Sequence, residues 1–336
     1  MPPLDLVPVW TIILGVSVFM YVLLDGFDLG IGILFPMARD DDARTLMMTS
    51  VAPVWDGNET WLVLGGLGLL AIFPLAFAII MPAVYFPLLL MLLGLIFRGV
   101  AFEFRLKETA HRHWWDRAFF FGSTIATFAQ GVVLGMFVQG FEVTGRSFSG
   151  TSFDWIRPFP LATGVGLLFG YTLLGATWVV MKTEGDLQAW ARGRATIALY
   201  GVLAFIAMVS VWTPLTHARV AERWFSVPNV YGFALVPVVT AGIAWITWRS
   251  LRTGGRDHVP FIGAMGLFAM CYLGLGISVF PYIVPYAFTL WDAAAVPSTQ
   301  MFLLIGTLFL LPIIFMYLGW SYYVFRGKVT ADVGYH

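Results

Sequence analysis

The chain has 336 residues, 59% hydrophobic and only 11% charged, with a mean hydropathy of +0.83. A soluble domain carries about 25% charge, so this composition describes an integral membrane protein and excludes a soluble enzyme. Lys+Arg and Asp+Glu are 19 each and the formal net charge is zero, which leaves no global field for nucleic acid or acidic ligands.

Hydropathy and helix breakers predict nine spans, at about 7–37, 56–79, 82–103, 117–141, 159–182, 195–215, 230–250, 259–283 and 300–325. The fold expected is an all-α polytopic membrane protein forming one integral membrane domain over residues 1–336. The N-terminal stretch lacks a basic n-region and a small-residue cleavage site, so its apolar segment reads as a retained span. The second and third spans are the hardest to separate, because Phe73-Pro74 to Pro87 reads as kinks or as a tight turn.

Charge asymmetry orients the spans. One set of connections, with the C-terminal tail, holds 15 of the 19 basic residues, and the opposite set holds only Arg146, Arg157, Arg219 and Arg223. The positive-inside rule then places the N-terminus outside and the C-terminus in the cytoplasm. Tyr21-Val22-Leu23-Leu24-Asp25 is faintly echoed by Tyr171-Thr172-Leu173-Leu174-Gly175. Such a duplication pairs spans one to four with five to eight and leaves the ninth peripheral. The corresponding units are a bundle at about 1–141, a second at about 159–283 and a peripheral helix at about 300–325.

The first span carries Asp25 and Asp28 within Leu23-Leu24-Asp25-Gly26-Phe27-Asp28-Leu29-Gly30-Ile31-Gly32. An ionised Asp inside a spanning helix costs about 2.5–3.5 kcal/mol on insertion scales. Positions i and i+3 share a helix face, towards the cytoplasmic half of the span. Capping or packing of an interfacial carboxylate is one account; a proton or cation path is the other, since intramembrane acids face the bundle interior or water.

The second span opens with Trp55-Asp56-Gly57-Asn58-Glu59-Thr60-Trp61. Asp56 or Asn58 capping a helix, with tryptophans in an interfacial belt, accounts for part of this pattern. A polar cluster of Asp25, Asp28, Asp56 and Glu59 accounts for the rest. Arg98 ends the third span, where it either snorkels or pairs with one of these acids. Glu103, Arg105 and Lys107 read as an ordinary solvated helix end.

Ligand chemistry is sparse. His111 and His113 fall in a basic loop, His217 and His258 in or beside connections, and His336 is the last residue. None sits at the middle of a span, whereas membrane haems take axial His or Met from helices. Methionines such as Met81, Met91, Met136, Met265 and Met270 read as soft packing. The single cysteine, Cys271, gives neither a disulfide nor a zinc framework, so no metal site is expected.

The stretches LLDGFDLGIG, WDGNETWLV and FRGVAFEFR together resemble subunit II of the cytochrome bd-type quinol oxidases, in order and spacing. GATW at 175–178, KTEG at 182–185, Phe280-Pro281 with Pro285, TLWDA at 289–293 and YVFRGK at 323–328 extend the resemblance over nearly the whole chain. It implies nine spans in two four-helix bundles plus one peripheral helix, in a bacterial cytoplasmic (inner) membrane. It also implies a partner, subunit I, carrying haems b and d and oxidising quinol while O2 is reduced to water. Subunit II would hold no cofactor alone, apart from a structural quinone in some members, and a small single-span accessory subunit is a further expected partner. Carried over, Asp25 and Asp56 would be proton-path groups, Asp28 and Asn58 supporting polar groups, and Arg98 a charge partner. Glu59 stands where some members carry Gln, so its part in the path is the least specified. The competing readings are a proton- or cation-coupled secondary transporter, with the acid pairs binding the coupling ion, and an assembly subunit whose acids only fix packing.

Overall fold

Backbone amides and carbonyls in lipid have no water to bond, so apolar runs satisfy them internally as helices. The computed structural model describes residues 5–108 and 111–329, so His336 lies outside the described residues. In chain order the helices are α1 (Val7–Leu34), α2 (Asp41–Thr49), α3 (Trp55–Ile72), α4 (Pro74–Ala83), α5 (Tyr85–Arg105), α6 (Arg112–Gln139) and α7 (Pro158–Lys182). They continue as α8 (Gly185–Thr216), α9 (Ala218–Phe225), α10 (Asn229–Phe233), α11 (Leu235–Thr253), α12 (Val259–Val279), α13 (Leu290–Ala293) and α14 (Pro297–Val324). Two short antiparallel hairpins, β1 (Val143–Thr144) with β2 (Ser147–Phe148) and β3 (Tyr282–Val284) with β4 (Phe288–Thr289), close connections between helices.

Among the described residues, eight helices are long and apolar enough to cross a membrane. The stretch expected as the second span is two helices. Pro74 has no N–H to continue α3, and Phe73 leaves helical geometry at φ −125°, ψ 61°, so α4 starts afresh. Nor does Asp56 or Asn58 cap α3: its N-cap is Val54, with no side-chain cap bond.

Helix α1 is the centre of the packing, touching α3, α6 and α7; α5 lies on α6, α7 on α8 and α12, and α11 on α12. At the α1–α7 crossing both helices need glycine. A Cβ on Gly30 would stand 2.7 Å from the carbonyl carbon of Tyr171 and 2.9 Å from the amide nitrogen of Gly175. Small residues bring backbones this close where lipid provides no hydrophobic drive between helices. Tyr171 and Gly175, the two ends of the second echoed stretch, therefore lie against α1 just past the first, and Phe27 stacks on Trp178 beside the crossing, ring centroids 4.2 Å apart.

Helix α2 is docked by a basic residue that the sequence placed in solvent. Arg105 is fully buried: its Nε bonds Asp116 at 2.5 Å, its Nη2 Asp41 at 2.8 Å and its Nη1 the Thr45 hydroxyl at 3.1 Å. The guanidinium also lies 4.9 Å from the centre of the Phe35 ring. The solvated-end reading holds for Glu103 and Lys107, an exposed i,i+4 pair at 2.8 Å, and fails for Arg105. Of the side chains that satisfy Arg105, Thr45 and Asp41 on α2 lie 60 and 64 residues away, and Asp116 lies 11 residues on, across the α5–α6 connection.

Most of α14 faces outward, with only Gln300 and Leu318 buried, yet it is tied at both ends. Trp10 Nε1 donates to the Gln300 carbonyl at 3.2 Å, and Lys182 donates to the carbonyls of Phe325 and Gly327 past its C-terminus.

Candidate functional site

The site assembles where α1, α3 and α5 converge. Residues three and four apart share a helix face, and α1 turns Tyr21, Asp25 and Asp28 into the protein. Asp25, Asp28, Asn58 and Arg98 are fully buried.

Arg98 sits on the buried face of α5 and pairs through Nη2 with Asp25 Oδ1. The same nitrogen lies 3.2 Å from Glu59 Oε1, one turn into α3. The guanidinium is boxed by aromatic rings, 5.5 Å from the centre of Trp55 and 5.8 Å from that of Phe102, which themselves stack at 5.0 Å. Arginine tolerates such burial because its charge is delocalised and weakly hydrated. It does not snorkel.

Asp28 has a different partner. Asn58 Nδ2 donates to Asp28 Oδ2 at 2.7 Å and to the Leu24 carbonyl at 3.2 Å, and Asn58 Oδ1 accepts from the Tyr322 hydroxyl of α14 at 2.9 Å. A tyrosine can donate to an amide oxygen, leaving the amide N–H groups for the acid. Tyr322 thereby fixes which end of Asn58 meets Asp28.

Several polar atoms here are buried without a protein partner, among them Asp25 Oδ2, Asp28 Oδ1 and Arg98 Nε and Nη1. Unsatisfied buried polar atoms are rare in folded proteins and point to a working site or to bound water. Glu59 is the accessible member, with 29% of its side chain exposed against 1% for Asp25. Asp56 is also exposed, on the first turn of α3, and makes no ion pair among the described residues. Of the residues singled out from sequence, the structure brings together Asp25, Asp28, Asn58, Glu59 and Arg98, and leaves Asp56 at the edge.

A scan against family models matches residues 6–325 to the cytochrome bd terminal oxidase subunit II model. The chain belongs to the cytochrome bd terminal oxidase subunit II family. It is similar to the cytochrome bd-I ubiquinol oxidase subunit 2 of Escherichia coli K12, 29% identical over 360 residues covering 96% of this chain and 95% of that one. Identity is also 29% over 336 residues to the cytochrome bd ubiquinol oxidase subunit 2 of Bacillus subtilis 168, covering 96% of each chain. Among solved structures, the bd oxidase from Geobacillus thermodenitrificans superposes with a TM-score of 0.77 over 96% of this chain and 99% of that one, at 17% identity, which shows a shared fold.

Membership of the subunit II family raises the question of haem. Here no described histidine is buried: His111, His113 and His258 are exposed, and His217 is half-buried at the end of α8, stacked on Tyr286. These positions do not fit axial ligation within the helix bundle, and no step through a haem is assigned to this subunit. Among the described residues, no group of three or more His, Cys, Asp and Glu is placed to hold a metal ion.

Subunit II also carries site residues that sequence reasoning passed over. Tyr21, Gln130 and Tyr171 form a hydrogen-bonded set beside Asp25, and Tyr322 completes the Asn58–Asp28 link. A single amide such as Gln130 inside an apolar run is a signal in its own right, since intramembrane polar groups are functional or tightly partnered.

Proposed function

We propose that this chain, as subunit II of a bd-type quinol oxidase, supplies a cytoplasmic proton path for the reduction of O2 to water. The family assignment favours this over a secondary transporter. The observation that carries the proposal is the buried Asp25–Arg98–Glu59 cluster. Two carboxylates share one guanidinium inside the bundle, and one of the two reaches the surface of the chain.

The chemistry follows from that geometry. Within the cluster, a proton arriving from the cytoplasmic side meets Glu59 first, because Glu59 is its accessible acid. Arg98 holds one positive charge between Glu59 and Asp25, so a proton held by either acid leaves the other paired. The cluster passes one proton at a time without stranding two carboxylates in low dielectric, where an unpaired charge is expensive. Asp28, held by Asn58, is a supporting acid a turn further along α1, and Asp56 is the collecting group at the mouth. Protons delivered here are consumed in O2 reduction by the complex.

The wider arrangement proposed has nine spans, with α3 and α4 together making the second, the N-terminus outside and the C-terminus in the cytoplasm. Two four-helix bundles, at about 1–141 and 159–283, are flanked by α14. The complex sits in the bacterial inner membrane. Its subunit I carries haems b and d and takes electrons from ubiquinol, as the names of the relatives suggest, and a small single-span accessory subunit and a structural quinone complete it.

The test uses the purified native complex. Asp25→Asn is expected to slow quinol-driven O2 uptake and its linked proton uptake while haem absorbance stays at the wild-type level. Wild-type turnover in that variant would reduce Asp25 to a packing role. A complex with neither haem absorbance nor quinol-dependent O2 uptake would overturn the oxidase assignment itself.

A further inference from the structure

Asp25 has a second neighbourhood, separate from its pairing with Arg98. Tyr21 stands one turn earlier on α1, buried on the same face as Asp25. That hydroxyl accepts a hydrogen bond from Gln130 Nε2 of α6 at 2.7 Å. The other end of the amide, Gln130 Oε1, accepts from the Tyr171 hydroxyl of α7 at 2.8 Å. Tyr171 has no exposed surface and Tyr21 only 5%. These are the matching tyrosines of the two echoed stretches, so one from each stretch brackets the same glutamine.

Direction decides what such a chain can do. A phenol has one proton to give, and an amide has donors at one end and an acceptor at the other. Because Tyr21 receives its bond from Gln130, its own proton is not committed to that amide and stays available to the Asp25 carboxylate one turn on, whose Oδ2 is buried with no hydrogen-bond partner in the protein. With the amide turned over, Tyr21 would commit that proton to Gln130 Oε1, and only lone pairs would face Asp25. The turned amide would also leave the Tyr171 proton without an acceptor in the core, since Gln130 Oε1 is the acceptor it has. A buried donor left unpaired is penalised, so Tyr171 selects the amide orientation.

We propose that Gln130 is a positioning residue for Asp25: locked by Tyr171, it keeps the Tyr21 hydroxyl proton directed at that carboxylate. Each time Asp25 passes its proton on, the carboxylate left behind meets a donor already oriented. This inference rests on the reading of Asp25 as a proton-path group.

The experiment compares Gln130→Leu, Tyr171→Phe and Asp25→Asn in the whole purified oxidase, measuring quinol-driven O2 uptake in H2O and D2O, and haem absorbance. Gln130→Leu is expected to lower kcat several-fold at unchanged KM for quinol and to enlarge the solvent isotope effect, because proton delivery becomes limiting. Tyr171→Phe should move both readouts the same way by less. The double variant Asp25→Asn/Gln130→Leu should be no slower than Asp25→Asn alone. Wild-type turnover and isotope effect in both Gln130→Leu and Tyr171→Phe, with Asp25→Asn slowed, overturns the role of Gln130 and leaves the proton path standing. Wild-type turnover in Asp25→Asn overturns both. Should Gln130→Leu fail to assemble with haem, Tyr171→Phe, which lacks a single oxygen, decides the matter alone.

Discussion

Arg98 on α5 and Asp25 on α1 form an ion pair in which neither side chain reaches solvent, joining two helices 73 residues apart in sequence. Bringing both charges out of water is expensive, and their attraction repays this only with further hydrogen bonds. Arg98 leaves Nε and Nη1 unpartnered, so the pair is poorly explained as a stabilising device. It fits the proton-handling role proposed above.

Removing the arginine alone leaves Asp25 charged and unpaired. Arg98→Met is expected to destabilise the protein by about 3–5 kcal/mol, the usual result of breaking a buried pair. Removing both charges, as Arg98→Met with Asp25→Asn, should restore much of that loss. Thermal unfolding of the purified complex, run as a double-mutant cycle, measures the coupling. Additive losses in the double variant would show that the two residues do not act as a pair.

The two basic residues at the end of α5 predict a contrast. Arg105 is fully buried on Asp41, Asp116 and Thr45, whereas Lys107 reaches only Glu103 on the surface. Arg105→Gln is expected to cost about 1.5–3 kcal/mol, from lost charge-assisted hydrogen bonds, and to free α2. Lys107→Gln should cost no more than about 0.5 kcal/mol, as exposed helix pairs do. Hydrogen exchange over 41–49 checks this directly, rising in the first variant and unchanged in the second.

That contrast also marks where the sequence was legible. Asp25, Asp28, Asn58, Glu59 and Arg98 were readable because each is a polar group set in an apolar run, and lipid makes such groups conspicuous. The partners were not readable in the same way. Arg105 looked solvated because the acids that bury it, Asp41 and Asp116, come from α2 and α6. Tyr322 lies 264 residues from Asn58, and nothing local to either residue encodes their bond. Phe73-Pro74 was legible as a kink or a turn, and there, where the chain stays apolar, the missing Pro74 N–H ends α3. The echo of Tyr21 to Asp25 in Tyr171 to Gly175 was visible, but the meeting of its two copies at Gln130 depends on tertiary packing.

The C-terminal tail gives a pH prediction. Lys328 bonds Asp257 at 2.6 Å and the Thr183 carbonyl at 2.8 Å, and Arg192 bonds Asp257 at 2.6 Å, tying the tail to the α11–α12 connection and α8. Burial pushes the Asp257 carboxyl up, but the Lys328 bond and charge, Gln188 and Arg192 outweigh it and hold the carboxyl below its ordinary value. A carboxyl lowered on folding stabilises above its unfolded value, and that contribution disappears as pH falls through the folded one. The tail should therefore stay docked from neutral pH down to about 5 and loosen only below about pH 4, as read by hydrogen exchange over 325–329, with tryptic cleavage after Arg326 and Lys328 as the readout at neutral pH. Asp257→Asn should release it at pH 7. Equal cleavage rates in variant and wild type at neutral pH would separate the tail from this ion pair.

The α1–α7 crossing predicts the sharpest single-atom effect. A Cβ on Gly30 would stand 2.7 Å from the carbonyl carbon of Tyr171 and 2.9 Å from the amide nitrogen of Gly175, so the obstacle is backbone and cannot rotate away. Gly242 on α11 has open space around its would-be Cβ. Gly30→Ala must part α1 from α7 by the width of a methyl group, and Asp25 and Tyr21 move with α1. Overpacking of this kind costs about 1–3 kcal/mol and sometimes more, so lower thermal stability and slower quinol-driven O2 uptake are expected together. Gly242→Ala should leave O2 uptake unchanged and raise thermal stability by up to about 1 kcal/mol, since its Cβ meets nothing and alanine favours the helix over glycine. An unaltered melting temperature in Gly30→Ala would mean that α1 and α7 do not cross at this contact.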